Sequence, residues 1–135
     1  MNPTPERQQY SSGTPWEESA GYSRALRVDN RVFVAGTTAS NPEGRVMAVD
    51  PAGQTRFILD KIDTAMTALG SSLRDTVRIR IFVRDITDWE AVAAVLGERF
   101  RDIKPVSTLV EARLIRPEFL VEIEVEAIIG AGDAL

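Results

Sequence analysis

The chain has 135 residues, 44% hydrophobic and 27% charged, an ordinary balance for one globular domain. It contains no Cys and no His, which excludes disulfides, thiol nucleophiles, imidazole-based triads and zinc sites of the usual ligand type. A net charge of −4 argues against a nucleic-acid partner, and no apolar run approaches the ~20 residues that span a bilayer.

The first segment, "MNPTPERQQYSSGTP", is rich in Pro, Ser and Gln. Residues 1–15 are therefore expected to be a flexible arm, leaving 16–135 as the single folded domain. The arm has neither a basic start nor an apolar core, so a cytoplasmic location is expected. "YSRALRVDNRVFVAG" predicts two strands joined by a tight turn at Asp29–Asn30. "TASNPEGRVMAV" supplies turn residues with room for a short third strand. From about Ala52 to Leu69 the period becomes helical, with Ile58, Ile62, Ala65 and Leu69 on one face and Gly70 placed to cap the end.

"TVRIRIFVRD" alternates as a strand, with Val77, Ile79, Ile81 and Val83 on one side and Arg78, Arg80, Phe82 and Arg84 on the other. In "TDWE", Thr87 and Glu90 have the spacing of a capping box, ahead of an apolar stripe of Trp89, Ala93, Leu96 and Phe100. Two strands follow, over about 107–114 and 119–129, broken at Arg116–Pro117. This order predicts an α+β domain with one sheet and both helices packed on one face.

The last strand poses a question of its own, because Val121, Ile123 and Val125 alternate with Glu122, Glu124 and Glu126. A sheet covered on one side shows its other face to water or to a second chain. The three aliphatics are thus expected beneath the helices, and the carboxylates opposite, paired with Arg78, Arg80 and Arg84 across strands or subunits. On that account Glu124 and Glu126 belong to a charge ladder.

Taken in order, the segments "GYSRAL", "VAGTTASNP", "DTVRIRIFVRDITDWEAV", "ERF", "KPVST" and "LVEIEVEAI" resemble the RidA/YjgF family over roughly residues 21–129. The resemblance implies a chorismate-mutase-like fold with one mainly antiparallel sheet, a homotrimer, and small-molecule pockets between neighbouring subunits. It also implies hydrolysis of reactive enamine and imine intermediates to a carbonyl product and ammonia, with no cofactor, metal, nucleic acid or membrane. The family's tyrosine and glycine correspond to Tyr22 and Gly36, and its glutamate to Glu122, the candidate catalytic group.

The family's carboxylate-binding arginine is absent. Fifteen residues before Glu122, two after the proline of "KPVST", stands Ser107. One neutral hydroxyl is a poor substitute for an Arg–carboxylate fork, so the substrate range is expected to differ. Ser107, Thr108 and Leu109 are the candidate substrate contacts on that strand. Arg24, two residues after Tyr22 and of the same parity, is the best-placed replacement cation. Arg113 lies too far along the strand to serve, and Arg78 and Arg80 are expected to pair with the glutamates instead. Two functions stand: an imine or enamine hydrolase of altered range, and a trimer that binds a small metabolite without turning it over. A ribonuclease is disfavoured by the acidic charge and the missing imidazole.

Overall fold

The computed structural model describes residues 3–135. Its elements are β1 (Arg7–Tyr10), α1 (Pro15–Ala20), β2 (Ala25–Val28), β3 (Arg31–Thr37), α2 (Pro51–Ala68), β4 (Thr76–Val83), α3 (Trp89–Phe100), β5 (Val106–Glu111) and β6 (Val121–Ile128). The strands form one six-stranded sheet in the order β1-β2-β3-β6-β4-β5. All neighbours are antiparallel except β4 and β5, which run parallel and are joined through α3, as a parallel pair requires.

The expected α+β architecture holds. On the helix side, Ile58, Leu59, Ile62 and Met66 of α2 and Val92 and Val95 of α3 meet Ile79, Ile81 and Val83 of β4 and Val121, Ile123 and Val125 of β6. The alternation in β6 therefore resolves as expected, with its aliphatics under the helices. β2 and β3 close as a hairpin with Val28 opposite Arg31, and Asp29 takes the left-handed conformation (φ 51°) that tightens the turn. Gly70 (φ 83°) ends α2 in a Schellman arrangement: Ser71 N–H reaches Met66 O at 2.9 Å and Gly70 N–H reaches Thr67 O at 3.1 Å.

Several local expectations need correction. Arg7–Tyr10, inside the supposed arm, is an edge strand paired with β2, and Pro15–Ala20 is a helical turn. No third strand forms after β3; there is an isolated bridge between Ser40 and Val46. A register shift between Thr76 and Arg78 takes Val77 out of the alternation, so Thr76 is buried in its place. Thr87 does not cap α3. Asp85 accepts from Thr87 N–H at 3.0 Å to close a preceding 3-10 turn, and the buried stripe is Val92, Val95 and Phe100, with Trp89 half exposed. Arg84 joins no ladder. Its guanidinium donates to the carbonyls of Leu114, Arg116 and Phe119 and ties down the chain that leads into β6.

Candidate functional site

A β-bulge sets the geometry of the site. β3 pairs Val34 with Val125 and then Thr37 with Ile123, so one extra residue is accommodated around Ala35–Gly36. The Glu122 carboxylate lies against the Cα of Gly36. A Cβ there would sit 3.0 Å from Glu122 Cδ and closer still to Oε2, so a side chain at 36 would displace the acid.

Glu122 opens onto a cleft of about 340 Å³ whose walls are largely apolar: Trp16, Ala20, Ala35, Ile115 and Phe119. Trp16 and Phe119 meet edge to face with centroids 5.9 Å apart. Burial pushes the Glu122 carboxyl above the ordinary carboxylate range; the Arg24 charge draws it down and the Glu124 charge adds to the rise. Tyr22 and Arg24 line the same cleft. The structure thus brings Tyr22, Arg24, Gly36 and Glu122 together around one space.

Arg24 does not present a free fork to that space. Its side chain is 3% exposed, and all five guanidinium N–H groups have partners. Nε donates to Ser12 Oγ (3.3 Å), Nη1 to Gly36 O (2.6 Å) and Thr37 Oγ1 (3.2 Å), and Nη2 to Glu17 Oε2 and Tyr22 Oη (3.4 and 3.3 Å). Its guanidinium carbon also stands 5.5 Å from the Tyr22 ring centroid. Arg24 thus braces the bulge and the tyrosine from behind. Because the Tyr22 oxygen accepts from Arg24, its own proton remains free for the cleft.

Glu17 anchors this network and was missed at the level of sequence. It accepts from Ser11 Oγ (3.0 Å), Ser12 N–H (3.0 Å), Ser12 Oγ and Thr14 Oγ1 (2.6 Å) as well as from Arg24. Burial alone would raise its pKa, but the hydrogen bonds from Ser12, Thr14 and Ser11 outweigh it and bring the group down to about 2. The signal was present in "TPWE": a cap residue, Pro at the first helical position and Glu at the third. The polar composition of residues 1–15 obscured it.

The remaining candidates lie elsewhere. Ser107 faces Ile79, which in turn faces Val125, whereas Glu122 pairs with Phe82 and, beyond it, Val110. Ser107 and Glu122 of one chain are therefore on opposite faces of the sheet and about 14 Å apart by strand spacing and rise. Leu109 stands opposite Ile81 and packs against the core, while Thr108 stands opposite Arg80 on the open face. β5 is an outer strand with a neighbour on one side only. On the open face, Arg80 bridges Glu124 and Glu126 at 2.9 and 3.2 Å, and Arg78 reaches Glu126 at 3.9 Å. The ladder expected of Glu124 and Glu126 is present. Among the described residues no helix is long and apolar enough to cross a membrane.

Comparison with known proteins identifies the family of the fold. The sequence model described as endoribonuclease L-PSP matches residues 14–129. An uncharacterised protein of Streptomyces coelicolor is 36% identical over 124 residues, covering 91% of this chain and 92% of its own. The 3-aminoacrylate deaminase RutC of Acinetobacter baylyi is 36% identical over 112 residues, 82% of this chain and 88% of its own. A crystal structure from Mycobacterium tuberculosis, described as a member of the YjgF/YER057c/UK114 family, is 43% identical with a TM-score of 0.85, covering 92% of this chain and 100% of that one. The chain belongs to the RidA/YjgF family, that of endoribonuclease L-PSP.

Proposed function

We propose that this protein hydrolyses reactive imines or enamines, with Glu122 as the acid–base group, in pockets completed by a neighbouring subunit of a homotrimer. The observation that carries the proposal is the Glu122 carboxyl, held against Gly36 at the wall of an apolar cleft with its pKa raised by burial. The 36% identity to a 3-aminoacrylate deaminase supports the reaction class.

The chemistry follows from a single carboxyl. Protonated, Glu122 delivers a proton to an enamine carbon and generates the iminium. Ionised, it takes a proton from water as the oxygen attacks the iminium carbon and the C=N π pair moves to nitrogen. It then returns that proton to nitrogen; as the C–N bond breaks, the carbinolamine hydroxyl gives its proton to Glu122, and ammonia leaves a carbonyl product. The Tyr22 hydroxyl donates into the cleft and orients the substrate. Ser107, Thr108 and Leu109 cannot join Glu122 within one chain, so their part in a pocket requires the β5 of an adjacent subunit. With Ser107 in place of an arginine and every Arg24 N–H engaged, the pocket suits an imine of neutral or apolar side chain better than an imino acid.

The test is ammonia release from freshly generated imines, some with and some without a carboxylate. Wild type is expected to favour the neutral members, and Ser107→Arg to gain turnover on 2-aminoacrylate. Glu122→Gln is expected to lower turnover by about a hundredfold or more. The same variant should unfold no more readily than wild type near pH 7. A carboxyl whose folded pKa is raised loses stability as pH climbs through its two pKa values, and the amide carries no such cost. Undiminished turnover in Glu122→Gln would overturn the assignment. Saturable binding with no ammonia from any variant would favour a metabolite-binding trimer.

A further inference from the structure

The chain has two lysines, and they are placed very differently. Lys104 is exposed, just beyond α3. Lys61, in α2, is partly buried, and its Nζ donates to Ser40 O at 3.0 Å and Ser40 Oγ at 3.4 Å. Lys61 and Ser40 both line a pocket of about 370 Å³, with Tyr10, Pro42 and Phe57 as its apolar sides and Ser12, Asn41 and Thr64 among its polar lining. This pocket shares no lining residue with the Glu122 cleft.

Among the described residues no carboxylate pairs with Lys61. Asp60, its neighbour on α2, is bound to Arg99 of α3, and Glu17 of α1 is held by Arg24 and three hydroxyls. Tyr10 of β1 and the Arg24 cation, which precedes β2, are the other titratable or charged groups on this side. An ammonium here is thus desolvated, faces another cation and has neutral acceptors. Burial first, then the Arg24 charge, brings its pKa down from 10.5 to about 8, with Glu17 pulling the other way. As a neutral amine, Lys61 can give both hydrogens to Ser40 and keep its lone pair for the pocket.

We propose that Lys61 is the nucleophile of a second site, in which an uncharged aliphatic aldehyde enters the apolar pocket and is held as an imine. The lone pair forms a C–N bond to the carbonyl carbon, the C=O π pair moves to oxygen, and the proton that the nitrogen loses is taken up by that oxygen. Loss of water from the carbinolamine yields the imine, with no oxidant or reductant required. Imine formation removes a charge from apolar surroundings and ends its repulsion with Arg24. The aldehyde is uncharged because the pocket offers no cation for a carboxylate: Lys61 is consumed and Arg24 has no unused N–H.

The experiment uses the purified full-length protein and hexanal at about pH 7.5, with borohydride trapping and peptide mapping by mass spectrometry. Lys104 is the internal reference. Lys61 is expected to label at least ~tenfold faster, since far more of it is neutral than of an ordinary lysine at that pH. Its rate should saturate with hexanal, slow on adding hexanol and exceed the rate with pyruvate. Equal labelling of the two lysines would overturn the site. A rate that stays linear and ignores hexanol would show reactivity without a pocket, and faster labelling by pyruvate would overturn the aldehyde class.

Discussion

Two glutamates show how surroundings divide one residue type into different roles. Glu122 faces an apolar cleft and is pushed toward neutrality, whereas Glu17 is surrounded by donors and held ionised at about pKa 2. Both feel the same guanidinium charge, Glu17 through a direct bond and Glu122 through space. The consequence for stability differs in sign. A carboxyl with a depressed folded pKa contributes stability that is fully present above its unfolded value, near 4.5, and is lost as pH falls toward 2. Glu17→Gln is therefore expected to cost about 3 kcal/mol at neutral pH, and the gap from wild type should close between about pH 4.5 and 2. Urea unfolding across that range measures it. A gap that persists unchanged at pH 2 would show that Glu17 acts by packing rather than by charge.

At the scale of elements, the parts most legible in sequence were those closed by local chemistry. The β2–β3 hairpin depends on a two-residue turn, and the end of α2 on Gly70, whose left-handed backbone any Cβ would strain. Arg27 reinforces that end by donating to Leu69 O at 2.9 Å, and a Cβ on Gly70 would approach Arg27 Nη1 to 2.8 Å. Gly70→Ala should accordingly destabilise the fold by about 1–2 kcal/mol without changing turnover, as thermal unfolding and the ammonia assay would show. Unaltered stability would mean that the turn relaxes freely. The start of α3 was less legible, because in "DITDWE" Asp85 draws the Thr87 N–H and hydroxyl into a preceding 3-10 turn, and the helix begins only after Asp88. The strand β1 was not legible at all. Its residues are polar and mostly exposed, and they form a strand because β2 presents an unpaired edge.

For the whole molecule, the sheet leaves one face uncovered by helices. Phe33 on β3 and Val106 and Val110 on β5 are 40%, 56% and 43% exposed, and they accompany the Arg80 ladder. Apolar side chains along an outer strand favour association with another chain. The proposed trimer would cover this surface and bring β5 of one subunit toward Glu122 of the next. Light scattering or native mass spectrometry is expected to find three chains, and Val110→Asp to shift the population toward monomer with loss of turnover. A wild-type monomer that still releases ammonia would remove the intersubunit pocket.

The sequence by itself determined the family, the order of the central strands and helices, the buried face of β6, and Tyr22, Gly36 and Glu122 as candidates, because each is written in a local period, a spacing or a motif. Only the tertiary structure decided what those residues meet. Whether Arg24 is a free cation or a saturated brace depends on Glu17, Gly36 and Tyr22 converging on it from separate elements. Whether Ser107 can reach Glu122 depends on the register across β5, β4 and β6. Charge and hydrogen-bond satisfaction are set by neighbours in space, and the chain's linear pattern does not contain them.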